Sequence, residues 1–126
     1  MTKVTTLALA TLLGLSAASP LYADDAVNTS IADLYRDRSD LAGRQVTLKG
    51  TVVKVNNNIM RRNFVHVQDG SGDAGAGTND VTVTTQDTVS VGDRVSVSGT
   101  VTVDQDFGYG YSYPLLVEQA SVTRAD

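Results

Sequence analysis

The chain has 126 residues, no cysteine, and 10 Lys+Arg against 14 Asp+Glu for a net charge of −4. The length suits one domain, and the missing cysteine excludes disulfides, thiolate metal sites, c-type haem attachment and a lipobox anchor. The acidic balance disfavours a nucleic-acid binder built on a basic stripe, because phosphate neutralisation supplies most of the affinity of such proteins.

The first segment, "MTKVTTLALATLLGLSAASPLYA", carries Lys3, an apolar run from Val4 to Ala18, then small residues and a proline. It predicts a secretory signal peptide at residues 1–23, cleaved after Ala23. The run is shorter than the roughly 20 residues a membrane span needs, so no anchor is expected after cleavage. Loss of Lys3 leaves nine cations against fourteen acids in the mature chain. Export without cysteine fits a periplasmic protein better than the disulfide-dense small domains of other secreted chains. Residues 24–29, "DDAVNT", are expected as a flexible mature N-terminus, followed by one domain over residues 30–123.

"SIADLYRDRSDLAG" begins with Ser30 and Asp33 in capping-box spacing, with Ile31, Leu34 and Tyr35 on one helical face. The expectation is a short helix from Ile31 to about Arg38. From Gly43 the period changes to two. Val46, Leu48, Val52, Val65, Val67, Val81, Val83, Val95, Val97, Val101 and Val103 alternate with polar residues, in runs rich in β-branched side chains. Turn signals ("NNN", "DGSGDAGAGTND", "VGD", "DQDFGYG") separate five predicted strands: Gln45–Val55, Asn63–Gln68, Asp80–Thr85, Arg94–Val103 and Tyr113–Val122. Pro114 stands at the start of the last run, an allowed strand position.

One pattern occurs twice, as "GRQVTLKGTV" from Gly43 and "GDRVSVSGTV" from Gly92. Each copy has a leading glycine and a second glycine seven residues on. A long strand in a small barrel must coil sharply, and an interior glycine permits that without a clashing side chain. Gly50 and Gly99 are therefore expected as coil points, and Gly43 and Gly92 as turn residues. The segments between the copies share nothing, which argues against tandem duplication.

Two long coiled strands, first and fourth of five, resemble the OB-fold, a five-stranded Greek-key barrel. The segment "LAGRQVTLKGTVVKVNNNIMRRNFVHVQDGSG" resembles the first half of small exported bacterial OB-fold proteins, often labelled nucleic-acid-binding-like or nucleotide-binding-like. "DVTVTTQDTVSVGDRVSVSGTV" and "DFGYGYSYPLLVEQASV" match the remainder, so the resemblance spans Ser30 to Val122. The implied class is an all-β OB-fold-like barrel with a short N-terminal helix. The usual helix between strands three and four is replaced by "TQDTVSVGD", and the Ile31 helix is expected to plug the barrel instead.

The resemblance implies a ligand face on strands two and three, flanked by the 1–2 and 4–5 loops. With Val65 and Val67 inward, alternation puts Phe64, His66 and Gln68 outward, with Thr82 and Thr84 beside them. The 1–2 loop "NNNIMRRN" brings Met60, Arg61 and Arg62. The 4–5 loop "DQDFGYGYSY" brings Phe107, Tyr109, Tyr111 and Tyr113. Five of the seven aromatic residues thus converge on one face, which points to stacking. The candidate ligand-binding residues are Arg61, Arg62, Phe64, His66, Gln68, Thr82, Tyr109, Tyr111 and Tyr113.

Three functional readings follow. The first is a binding module for a protein, peptide or small-molecule ligand. The second is nucleic-acid or nucleotide binding, through the arginines and aromatic platforms, opposed by Asp104 and Asp106 in the same loop. The third is haem or metal handling through His66, the single histidine, with Met60 or a loop tyrosine as partner. A tyrosine rim that merely covers the barrel is the plain alternative. No cofactor or metal is expected. Asp69, Ser71, Asp73 and Asp80 have calcium-loop spacing, but Ala74 stands where that loop needs glycine, and a glycine-rich hairpin is the better reading. No nucleophile stands beside a visible base, so the protein is expected not to be an enzyme.

Overall fold

The computed structural model describes residues 26–125. The elements run β1 (Val27–Asn28), α1 (Ile31–Arg36), α2 (Arg38–Leu41), β2 (Gln45–Ile59), β3 (Arg62–Gln68), β4 (Asp80–Thr85), β5 (Arg94–Asp106) and β6 (Ser112–Arg124), with one 3₁₀ turn at Ala74–Ala76. Five strands close a barrel in the order β2, β3, β4, β6, β5 and back to β2; β4 and β6 pair parallel and the other barrel pairs are antiparallel. The protein is all-β with an OB-fold-like barrel, as the alternation implied. The expected signal peptide, residues 1–23, lies outside the described residues.

The inward set is the one the period of two selects. Val46, Leu48, Val52, Val65, Val67, Val81, Val83, Val95, Val97 and Val101 form a single buried cluster, with Val103 packed at its margin. Ile31 and Leu34 are completely buried in the same cluster, so α1 supplies the plug that the missing helix between β4 and β5 would otherwise provide. Fully burying a side chain of this size contributes about 1.5–3 kcal/mol, which explains why a six-residue helix of little intrinsic stability holds its place.

The repeated motif now has a structural reason. The copies lie antiparallel, with Leu48 opposite Val97 at their centre, Gly50 opposite Val95 and Gly99 opposite Val46. Each copy closes the other's turn. Gly43 donates its amide to the carbonyl of Val101 (2.8 Å) and Gly92 donates to Val52 (2.8 Å), while Val101 donates to Arg44 and Val52 to Asp93 (2.9 Å each). Both leading glycines have positive φ, +81° and +98°. The motif therefore appears twice because one local two-fold relation uses it on both sides.

The inner glycines mark where each long strand changes direction. β2 pairs with β5 as far as Thr51 and with β3 from Thr51 onward, so Gly50 sits at the transfer. Gly99 sits at the register shift between Ser98 and Thr100 where β5 meets β6.

Four local expectations differ. β2 runs on to Ile59 and absorbs "NNN", so the 1–2 connection is a two-residue hairpin, Met60–Arg61, both residues at positive φ (52° and 66°). Such turns normally advertise themselves with Asn-Gly, and that signal is missing. The β5–β6 loop shrinks to Phe107–Tyr111 because the strands extend into "DQD" and "SY". The helix breaks at Asp37 into α1 and α2. Val27 and Asn28, expected in a flexible lead-in, pair parallel with Val46 and Thr47.

Candidate ligand-binding face

The outer side of β3 presents Arg62, Phe64, His66 and Gln68 in turn, as alternation requires. Their fates differ. Phe64 is only 1% exposed, yet it stands apart from the interior cluster. The β5–β6 loop folds over it. Phe107 meets its ring edge-on at 5.7 Å, Tyr113 stacks on it at 5.8 Å with planes 30° apart, and Tyr111 lies tilted at 6.1 Å. Phe107 and Tyr113 also meet edge-on at 6.2 Å. Such pairs add about 0.5–1.5 kcal/mol each beyond burial. The Arg62 guanidinium lies 4.9 Å over the Phe107 ring, a cation–π contact that ties the turn before β3 to the loop before β6.

The structure thus brings Arg62, Phe64, Tyr111 and Tyr113 together, with Phe107 as an additional member. Phe64 is corrected from an exposed platform to the floor of the cluster. Tyr109 is not in it. Its side chain is 94% exposed, between Gly108 and Gly110, and its own φ is +56°. Burial raises the pKa of the Tyr113 hydroxyl, assisted by the nearby Tyr111.

Further along the face, Asp80 holds both His66 and Gln68. His66 Nδ1 is 3.0 Å from Asp80 Oδ1, and Gln68 Nε2 donates to Oδ2 at 3.0 Å. The histidine therefore has an orienting carboxylate, which the sequence pattern does not show, because the register that sets Asp80 diagonally beside His66 is fixed only by the pairing of β3 with β4. Tyr35 of α1 donates to the Asp80 carbonyl at 2.6 Å. Burial, then the adjacent Asp80 charge, raises the Tyr35 pKa. Thr82, expected outward beside His66, is only 6% exposed and Thr84 only 2%; Thr84 accepts from the Gln119 amide.

Met60 lies in the β2–β3 turn, six residues before His66, and the strand from Arg62 to His66 alone spans about 13 Å, so the two do not share a site. Among the described residues no group of three His, Cys, Asp or Glu side chains could hold a metal. The acidic Gly-rich segment has another task. Asp69 Oδ2 accepts from the Ile31 amide (2.9 Å) and Ser71 Oγ from the Ala32 amide (2.9 Å), capping α1 from outside. Ser30 Oγ accepts from Asp33 N as expected (3.1 Å), while the Asp33 carboxylate pairs with Arg36 at 3.0 Å. Burial opposes ionisation of Asp69, but its hydrogen bonds from Ser71 and from the Ile31 and Ser71 amides prevail and lower its pKa.

Arg61 is exposed at the hairpin, with its carbonyl fixed by Gln86 Nε2 at 2.8 Å. Together with Arg62 it borders a separate cleft beside β4 and β6.

No family model matches the chain, and no curated protein matches it. Solved structures do. An aspartyl-tRNA synthetase from Leishmania major Friedlin superposes with a TM-score of 0.53 at 15% identity, over 82% of this chain and 22% of that one. The asparaginyl-tRNA synthetase of Entamoeba histolytica gives 0.52 at 15% identity, over 80% and 24%. The chain thus spans less than a quarter of either enzyme, and at this identity the likeness speaks to the fold alone. It is an OB-fold likeness, in agreement with the strand order.

Proposed function

We propose that this protein is an exported, periplasmic, non-enzymatic OB-fold binding module that takes a protein, peptide or small ligand on the outer face of β3 and the β5–β6 loop. One observation carries the reading. The loop is anchored by Phe107, Tyr111 and Tyr113 on the buried Phe64, while its tip holds Tyr109 almost fully in solvent on a glycine-flanked turn. An anchored loop base with one exposed aromatic suits an interface anchor, since the loop ends are already ordered and a tyrosine has only two side-chain torsions to lose on binding. The His66–Asp80 pair braces β3 against β4, and no hydroxyl among the described residues donates to it. Export rests on the apolar leader, and no described helix is long and apolar enough to cross a membrane.

The test is site-specific photocrosslinking in periplasmic extract, with the probe at Tyr109 or, as a control, at Val91 on another exposed turn. A discrete adduct from position 109, reduced by Phe107→Ala, supports the reading. Equal, diffuse labelling at both positions removes it.

The second reading, nucleic acid, is favoured by the Arg62–Phe107 contact and by the tRNA synthetases among the structural neighbours. Asp80 on the face and Asp104 and Asp106 beside the loop oppose it. A labelled oligonucleotide titrated at two salt concentrations separates the readings, because phosphate contacts produce a steep salt dependence.

A further inference from the structure

Beside the aromatic cluster lies an open cleft of about 500 Å³, bordered by Arg61, Arg62, Thr84, Gln86, Glu118 and Gln119. Its lining shares only Arg62 with the aromatic cluster, although Glu118 and Gln119 lie further along β6, the strand that carries Tyr113. We infer that this cleft binds a small zwitterion, an α-amino acid or short peptide, with its carboxylate on the Arg61/Arg62 side and its ammonium on Glu118.

Three observations support this. First, opposite charges line one cleft without neutralising each other. Among the described residues, no salt bridge within 4.0 Å involves Arg61, Arg62 or Glu118. Arg62 is engaged by the Phe107 ring, which leaves its guanidinium edge free for hydrogen bonds. The second acid of the cleft, Asp87, has one oxygen held, its Oδ2 accepting from the Val122 amide at 2.8 Å, and keeps its charge. Two arginines and an unpaired glutamate therefore line one cleft of about 500 Å³, within the range of small-ligand sites.

Second, the walls are fixed before any ligand arrives. The buried Asn63 bridges the hairpin to the exit of β4, accepting from the Asn58 amide (3.0 Å) and donating to the Asp87 carbonyl (2.9 Å). Gln86 holds the Arg61 carbonyl, and Thr85 donates to the Ala120 carbonyl at 2.7 Å. Such pre-ordering reduces the entropy lost on binding. Third, of the six non-glycine residues at positive φ among the described residues, four, Asn58, Met60, Arg61 and Gln119, border this cleft or the hairpin above it. Each costs free energy and is retained only where the surroundings impose it.

Other ligand classes fit less well. A phosphate dianion would meet Glu118 and Asp87, and an apolar ligand would desolvate charges without pairing them. A zwitterion satisfies both signs. Arginine suits its carboxylate end, since the planar fork accepts carboxylate oxygens in pairs.

Calorimetry with L-alanyl-L-alanine, N-acetyl-alanine amide, acetate, methylamine and inorganic phosphate tests the inference, together with amide NMR shifts on the unmodified protein. The dipeptide is expected to bind with millimolar affinity and to shift the amides of Arg61, Gln86 and Gln119. Arg61→Ala and Glu118→Gln should each weaken it about tenfold, and Tyr109→Ala should leave it unchanged. Absence of dipeptide binding at tens of millimolar, or shifts elsewhere on the barrel, overturns the inference. So does phosphate or acetate binding that is indifferent to Glu118→Gln, which would mark an anion site only. NMR shifts do not depend on any variant folding. Failure of crosslinking at Tyr109 would sink the aromatic-face reading without touching this one.

Discussion

A Cβ placed on Gly50 would stand 2.6 Å from the carbonyl oxygen of Gln68, at the point where β2 leaves β5 for β3. The obstacle is backbone, so it cannot step aside. At Gly99 the nearest atoms are Val117 Cγ1 at 2.8 Å, then Ala120 Cβ and the Glu118 carbonyl oxygen at 2.9 Å. Neither glycine has positive φ, so the demand in both places is for space.

Gly50→Ala is therefore expected to destabilise the barrel by about 3 kcal/mol and Gly99→Ala by about 1–3 kcal/mol, as overpacking does. For a domain of this size the first corresponds to a fall in Tm of about 10–20 °C. Gly75→Ala, where an added Cβ would meet only Asp73 Oδ1 at 3.4 Å, should change little and serves as the control. Thermal melts decide the matter: a Gly50→Ala barrel as stable as the parent would refute the coiling argument.

The cap that Asp69 places on α1 makes stability depend on acid. Folding lowers the Asp69 pKa, so the carboxylate form is favoured in the native state. Its contribution is complete above the unfolded carboxyl range near 4 and is lost as pH falls through the lower native value. Asp69→Asn should cost about 1 kcal/mol at neutral pH and flatten the loss of stability below about pH 4. Urea midpoints of the two proteins between neutral and acid pH would reveal it; parallel curves would contradict the capping role.

Tyr35 gives the opposite dependence. Burial and Asp80 raise its pKa, so the native state favours the neutral phenol. Its contribution is complete below the unfolded value near 10 and is lost as pH rises through the native one. Tyr35→Phe should remove the bond to the Asp80 carbonyl at a cost of about 1 kcal/mol and abolish that part of the alkaline loss. The comparison needs urea midpoints on either side of about pH 10, and an unchanged alkaline slope would count against it.

Phe64 and Tyr109 should separate stability from recognition. Phe64→Ala removes the floor of the aromatic cluster and is expected to cost about 3–5 kcal/mol. Tyr109→Ala, at 94% exposure, should leave the melting curve within about 0.5 kcal/mol of the parent while reducing crosslinked partner. Equal stability effects of the two substitutions would show that the loop does not cover Phe64 as described.

Much of this was legible from local pattern. Inward and outward positions follow from a period of two, because successive side chains on a strand point to opposite faces whatever the strand pairs with. Hence Val46, Leu48, Val65, Val67, Val81, Val83, Val95 and Val97 could be named as core one residue at a time. The glycine at positive φ in each turn is equally a local requirement; the doubled motif also marked Gly50 and Gly99, but the atoms that exclude a Cβ there come from neighbouring strands.

Other features depend on which distant segments meet, and no local rule contains that. Phe64 has the alternation of an exposed residue and is buried because Phe107, Tyr111 and Tyr113 arrive from the far end of the chain. His66 looked solitary until the β3–β4 hairpin brought Asp80 within 3.0 Å. Asp69 and Ser71 had calcium-loop spacing but cap a helix some 38 residues earlier. Periodicity in a strand is a property of bond geometry, readable along the chain; the partners of a side chain on the outer face are set by barrel closure, which exists only in three dimensions.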